Sequence, residues 1–309
     1  MTDRMKIGVV LPHGEGDATE REEQARTLGW QELRAWAQQA EALGLDSLWV
    51  FDHLLSREPD EPDAGLHEAW TVLTATAAAT ERIALGALVM CTSYRNPALL
   101  AKMAATLDEI SAGRLILGLG CGWHDPEYEA FGYPTDHKVG RFEEALEIIR
   151  PLLRGETVTF EGRWVQAREA RLLPAPIRLD IPILIAAKGP RMLGLTARHA
   201  EAWNTAWFAG PDDERFVTRI ADIRAACVDA GRDPATLELT VGIEARPPGR
   251  PDVPDDRPGA VFIGSEAKLV DRLGAWHDVG IGHVIAYLSP STPDVLDWFG
   301  RGVARYRLG

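Results

Sequence analysis

The chain lacks three things. No run approaches the 18 apolar residues of a membrane span, no two cysteines form a CxxC pair, and basic residues are outnumbered, 33 Lys and Arg against 46 Asp and Glu. The first absence argues against a membrane span, and the acidic balance against an anionic membrane as partner. The N-terminal MTDRMKIGVV enters a strand within a few residues, without the apolar stretch of a signal peptide, so a cytoplasmic protein is expected. Cys91, Cys121 and Cys227 are odd in number and widely spaced, which indicates neither a disulfide framework nor a zinc site, and reduced thiols fit the same compartment. A formal charge of −13 disfavours nucleic acid, which rewards clustered Lys and Arg. It does not exclude a small anion, because a few donors and backbone N–H groups bind phosphate inside an acidic protein.

Familiar catalytic motifs are missing too. His67-Glu68 begins like a zincin helix, but the second histidine position holds Thr71, and the other histidines show no ligand spacing, so no metal site is expected. Neither a GxSxG elbow nor a P-loop occurs.

What is present is an alternation of strands and helices. Strands read at Lys6–Pro12, Asp46–Phe51, Ile83–Cys91, Arg114–Trp123, Ile183–Ala187, Ala202–Ala206, Leu237–Ile243 and His283–Leu288. Helices read between them: Trp30–Leu43, Leu66–Thr80, one started by Asn96-Pro97 with Leu99, Leu100, Met103, Leu107 and Ile110 inward, Val139–Arg154, one from Pro190, Asp212–Ala230, one started by Ser265, and a C-terminal helix. VTFEGRWVQ interrupts the alternation as a small hairpin turning at Glu161-Gly162, between strands four and five. His13–Gly29, Arg57–Gly65, His124–Asp136 and Arg246–Gly259 read as loops. Eight strand-helix pairs without a composition shift indicate an α/β protein, a single (β/α)8 TIM barrel spanning residues 1–309 as one domain.

Strand four organises the functional reading. Leu115, Ile116, Leu117 and Leu119 suit a parallel strand covered on both faces, and Gly118, Gly120 and Gly122 follow at every second position, where a missing side chain lets a flat ligand or another backbone approach. Glycines fitted to a tight barrel interior are the plainer alternative. A dinucleotide turn is excluded, because Trp123 stands where its third glycine belongs and His124-Asp125-Pro126 breaks the chain.

His53 ends strand two, behind Asp52, at the barrel face where catalysis occurs, and its neutral-range chemistry suits proton transfer. Ala186-Ala187-Lys188-Gly189-Pro190-Arg191 reads as a phosphate cradle or, equally, as an ordinary strand-to-helix turn with solvated basic residues. Barrel geometry converges Asp52, His53, Cys121, Trp123, Lys188 and Arg246 on one mouth.

DSLWVFDHLL, TERIALGALVMCTSYRNPALLAKMAATLDEISAGRLILGLGCGW, the EYEAFG loop with RFEEALEIIRPLLRGETVTFEGRW, and ILIAAKGPRMLGLTARHAEAWNT together resemble the luciferase-like monooxygenase family. The chain is most similar to its deazaflavin (coenzyme F420)-dependent oxidoreductases of actinobacterial type, over roughly residues 5 to 290. The resemblance implies a bacterial-luciferase-like barrel with F420, or alternatively FMN, across its mouth. Family members often carry a bulged third strand with a non-proline cis peptide behind the ring, which matches Leu88-Val89 and puts Met90 beside it. The strand-four glycine segment maps onto Gly120, Cys121 and Gly122, the phosphate turn onto Ala186, Ala187, Lys188, Gly189 and Pro190, and the aspartate-histidine pair onto Asp52 and His53. Arg191 adds charge beside that turn.

Trp123 departs from the sugar-phosphate dehydrogenase branch, which has a glutamate acid there; tryptophan cannot give up a proton, so it reads as a wall beside substrate or ring. Lys188 also departs, standing where relatives commonly have glycine, and sugar phosphates are thereby disfavoured as substrates. The reading is hydride transfer between reduced F420 and a small organic substrate, with Lys188, Arg191 and Arg246 as basic groups for the coenzyme's anionic tail. The alternatives are a reduced-FMN monooxygenase served by a partner flavin reductase and a non-catalytic flavin-binding protein. Barrels of this family commonly form homodimers.

Overall fold

The structure, a computed structural model, describes residues 4–14, 27–57, 63–249 and 260–309. Eight strands, β1 (Lys6–Val10), β2 (Ser47–Val50), β3 (Ala84–Ala87), β4 (Leu115–Gly120), β5 (Ile183–Ala186), β6 (Ala202–Ala206), β7 (Glu238–Arg246) and β8 (His283–Leu288), pair in chain order, all parallel. The β8–β1 pairing, Lys6 opposite His283 through Val9 opposite Ala286, closes the barrel. Eight helices follow the strands: α1 (Trp30–Ala42), α2 (Ala69–Ala79), α3 (Pro97–Ile110), α4 (Lys138–Leu153), α5 (Pro190–His199), α6 (Glu214–Asp229), α7 (Glu266–Asp278) and α8 (Pro293–Leu308). This is the expected (β/α)8 barrel.

Their ends follow local chemistry. Asn96 Oδ1 accepts from the Ala98 and Leu99 amides ahead of a first-turn proline, and Ser265 Oγ caps α7 through Lys268 N. The inserted hairpin pairs Val158–Glu161 with Gln166–Ala170. Its turn is later than expected, because Glu144 of α4 accepts the amides of Arg163, Trp164 and Val165 at 2.8, 2.9 and 3.1 Å.

Side chains alternate along each strand between the barrel interior and the layer beneath the helices. Ile7, Val9, Leu48, Val50, Leu85, Leu117 and Leu119 belong to the outer layer with the helices, while Val10, Trp49, Leu184, Ala202 and Ile285 form the interior cluster. Trp49 fills the interior so completely that a Cβ on Gly86 would stand 2.4 Å from its ring.

Three expectations are corrected. Leu99 and Ile110 are exposed, because α3 turns Leu100, Ala101, Ala104, Leu107 and Asp108 inward, where Arg178 binds the buried Asp108 carboxylate at 2.7 Å. His124–Asp136 is not all loop, since Asp125–Phe131 is a short helix. β7 runs on to Arg246, beyond Ile243, and a strand at Val261–Ile263 pairs with Glu244–Arg246. Parts of the expected loops, residues 15–26, 58–62 and 250–259, lie outside the described residues.

Candidate active site

Asp52 and His53 leave β2 consecutively, so their side chains turn opposite ways. The Asp52 carboxylate is 1% exposed and receives both guanidinium nitrogens of Arg95, at 2.6 and 2.9 Å, and the Cys91 amide at 2.8 Å. Arg95 also reaches Glu68 at 2.6 Å, and Glu68 caps α2 by accepting from Trp70 N and Thr71 N. Burial pushes the Asp52 carboxyl up, opposed by the Arg95 bonds and charge and by the Cys91 amide. Asp52 thus ties together the end of β2, the exit of β3 and the start of α2.

His53 turns to the mouth. Its Nδ1 lies 2.9 Å from Glu127 Oε1, while the Leu54 amide donates to Glu127 Oε2 at 2.7 Å. Burial pushes the Glu127 carboxyl up, but the His53 hydrogen bond and charge, the Leu54 amide and the Tyr94 hydroxyl outweigh it and hold the group below the ordinary range. A carboxylate only accepts, so Nδ1 carries the proton and Nε2 is the nitrogen left toward the mouth. Glu127 was not foreseen from sequence, because its segment was read as loop. The signal was there: Pro126 in the first helical turn and Gly132 at the left-handed C-cap, φ 77°, punctuate a helix.

Trp123 is 70% exposed and stands edge-on to His53, ring centroids 5.6 Å apart. The two neighbouring histidines are otherwise engaged. His124 is buried and accepts the Arg57 amide at 3.2 Å. His13 is buried with its ring nitrogens 3.0 and 2.8 Å from the Leu11 and Phe51 carbonyls, and burial pushes its pKa down.

The strand-four glycines serve chiefly to accommodate the protein itself. β3 is interrupted at Leu88-Val89, where the peptide is cis as the resemblance implied, and pairing with β4 resumes at Met90–Cys91. A Cβ on Gly118 would stand 1.8 Å from the Ala87 carbonyl oxygen, and one on Gly120 would stand 2.4 Å from Val89 Cγ2. Gly122 combines φ 73° with a Tyr128 hydroxyl 1.9 Å from any Cβ. The space these glycines leave is therefore filled, and only their backbone remains for a ligand. Met90 is fully buried in the outer layer, whereas Leu88 and Val89 belong to the interior cluster. The Tyr128 hydroxyl donates to the Cys121 carbonyl at 2.8 Å and lies 2.9 Å from Cys91 Sγ. Burial pushes the Cys91 thiol up to about 12 and raises that of Cys121, so neither is a reactive thiolate at neutral pH.

At the end of β5, Ala186, Ala187, Lys188 and Gly189 lead into α5, with Pro190 in its first turn. Trp203 Nε1 donates to the Ala187 carbonyl at 3.0 Å, fixing the turn from behind. A Cβ on Gly189 would meet no atom within 4 Å, so the helix start faces open space. Lys188 is held below the usual lysine range by burial and by the nearby Arg219, a basic neighbour that sequence reasoning missed. Arg191 instead pairs with Glu143 of α4. Arg246 is buried within β7, whereas Arg191 lies exposed in the first turn of α5.

Also unforeseen are Phe51, Trp207 and Tyr287, packed mutually with centroids 6.1 to 6.5 Å apart. Strand alternation carried part of this signal, since Phe51 and Tyr287 stand two residues beyond the inward-facing Trp49 and Ile285. Among the described residues, no group of three His, Cys, Asp or Glu could hold a metal ion, and no helix is long and apolar enough to cross a membrane.

A family model described as luciferase-like monooxygenase matches residues 5–248, and the chain belongs to that family. It is 37% identical over 214 residues to a phthiodiolone/phenolphthiodiolone dimycocerosates ketoreductase of Mycobacterium kansasii, covering 63% of this chain and 57% of that protein. It is 34% identical over 236 residues to an F420-dependent hydroxymycolic acid dehydrogenase of Mycobacterium tuberculosis, covering 75% of this chain and 60% of that one. The chain thus spans less than two thirds of the curated relatives it matches. Among solved structures, an F420-dependent secondary alcohol dehydrogenase in complex with an F420-acetone adduct superposes with TM-score 0.80 at 20% identity, over 98% of this chain and 99% of that one. The two share the barrel fold.

Proposed function

We propose that this chain is an oxidoreductase that moves a hydride between coenzyme F420 and a small ketone or secondary alcohol. The observation that carries the reading is the His53–Glu127 pair, which faces the mouth beside the exposed ring of Trp123. The names of two curated relatives, a ketoreductase and an F420-dependent dehydrogenase, support the coenzyme and the carbonyl chemistry.

The residues present fit such a coenzyme. Leu88, Val89 and Phe51 make an apolar floor for a flat ring, and the open start of α5, with Lys188 and Arg219 beside it, suits a phosphate and an anionic tail. The bound coenzyme supplies or accepts the hydride. In the reducing direction His53 Nε2 gives a proton to the carbonyl oxygen as the carbonyl carbon gains hydride, and in the oxidising direction Nε2 takes the proton from the alcohol. The buried Glu127 carboxylate accepts from Nδ1 and holds the ring while Nε2 exchanges the proton. Asp52 is locked to Arg95, and Trp123 stands at the position held by an acid in the sugar-phosphate branch, so the proton falls to His53. A cytoplasmic location and a homodimer belong to the same reading.

Titration of the apo-protein with F420 and with FMN, each oxidised and reduced, tests it. F420 is expected to bind at least about tenfold tighter, a difference of about 1.4 kcal/mol. Preference for reduced FMN would overturn the reading in favour of a monooxygenase fed by a flavin reductase. His53→Ala is expected to lower turnover by on the order of 10² to 10⁴ while leaving coenzyme affinity unchanged.

A further inference from the structure

We infer that Glu127 is the positioning residue of this site: it fixes the proton of neutral His53 on Nδ1, aims Nε2 at the substrate, and as a carboxylate supports the imidazolium formed during turnover. The inference rests on the reading of His53 as the proton carrier and deepens it, because nothing in the motifs of the chain assigned Glu127 any role.

The geometry is specific to a positioning group. Glu127 spends one oxygen on His53 Nδ1, at 2.9 Å, and the other on the amide of the next residue, Leu54, at 2.7 Å. It therefore holds the ring and the backbone that carries the ring with one carboxylate. The side chain is 2% exposed, against 27% for His53, so Glu127 is shut off from substrate while its partner is not. The short helix that presents it is itself anchored. Tyr128, its next residue, donates to the Cys121 carbonyl at 2.8 Å and packs edge-to-face with Tyr94, centroids 4.9 Å apart. Lys138 of α4 pairs with Asp125 at the first turn of that helix. The acceptor is thereby fixed from several directions, as orientation of an imidazole requires.

His53 is single-handed in this arrangement. A free imidazole exchanges its proton between the two nitrogens, and only the form with Nδ1 protonated leaves Nε2 able to accept from an alcohol. Without Glu127, part of the population would hold the wrong tautomer and the ring would lose its fixed direction.

The test uses protein labelled with ¹⁵N-histidine and long-range ¹H–¹⁵N spectra, which report which ring nitrogen carries the proton. Wild-type neutral His53 is expected as the Nδ1–H form; Glu127→Leu should convert it to a mixture or to Nε2–H, and Glu127→Gln, whose oxygen still accepts, should keep Nδ1–H. Turnover should fall in the order Glu, Gln, Leu, with kcat down by on the order of 10 to 100-fold in the leucine variant, the size seen when an orienting partner is lost. F420 affinity should stay within about twofold of wild type, because the carboxylate is buried behind His53. An unchanged tautomer in Glu127→Leu, or coenzyme affinity falling in step with kcat, would overturn the inference. If the leucine variant does not fold, Glu127→Gln decides: lower kcat at unchanged coenzyme affinity supports it, wild-type kcat overturns it. Full turnover in His53→Ala would sink the functional reading instead, and the spectra would still report whether Glu127 sets the tautomer.

Discussion

Two histidines at opposite ends of the barrel show how partners decide what one residue type does. His283 begins β8, fully enclosed, with Nε2 2.7 Å from Ser47 Oγ, and Ser47 accepts from Trp49 Nε1 at 2.7 Å. Burial, with the nearby Lys6, pushes its pKa down to about 3, so it stays neutral and acts as a polar plug in a packed interior. His53 ends β2 at the other rim, partly exposed, with a buried carboxylate on Nδ1. The neutral hydroxyl partner at one end leaves nothing to balance a charge, whereas the carboxylate at the other end does. The lesson is that the catalytic candidate is distinguished by its partner and its opening, rather than by being a histidine.

Exchanging the two losses sharpens this contrast most. His53→Ala should cost on the order of 10² to 10⁴ in turnover and also about 1–3 kcal/mol of stability, because it leaves the buried Glu127 carboxylate without its Nδ1 partner. His283→Ala should leave turnover near wild type and lower stability by about 1–3 kcal/mol through the orphaned Ser47 and the void, as read by urea denaturation. Equal losses of turnover from both would erase the difference between the two ends.

Trp49→Ala should be more costly to the fold than either, about 3–5 kcal/mol, because the indole fills the interior beside Gly86 and supplies the donor to Ser47. Chemical denaturation checks it, and a loss under about 1 kcal/mol would mean the barrel interior collapses onto the vacancy.

The last effect is one of slope. His283 titrates near 6.5 when unfolded and near 3 when folded, so the unfolded chain binds the extra proton between those values. Stability from this group is present above 6.5 and is lost at about 1.4 kcal/mol per unit as pH falls toward 3. His13 and His199, also lowered by burial, act in the same direction, so the difference between wild type and His283→Gln isolates the plug. Glu127, held below the ordinary carboxyl range, contributes stability above its unfolded value of about 4.3 and loses it only as pH falls further. A variant slope equal to wild type between pH 6.5 and 4.5 would show that His283 charges freely in the native state.

Much of the architecture was legible residue by residue. Asn96-Pro97, Ser265 and Gly189-Pro190 mark helix starts through chemistry that acts within one turn, and the apolar runs mark strands covered on both faces. The α3 stripe misled because that helix is apolar around most of its surface, and the face turned to the barrel carries the small Ala101, Ala104 and Ala105 and the buried Asp108 that binds Arg178. The positions of His53 and Trp123 just past strand ends were legible from the apolar runs that precede them. The bracing of Asp52 was not legible, because its partner Arg95 lies 43 residues away, a contact no local pattern announces.

By itself the sequence determined the order of elements, the barrel they close and the rim on which chemistry collects, because periodicity, caps and turn glycines act over a few residues. Tertiary structure alone decided that Asp52 braces while His53 faces the mouth, that Val89 occupies the space Gly120 leaves, and that Glu127 completes the histidine. Those are contacts between distant segments, set by packing and burial, which no short window of residues contains.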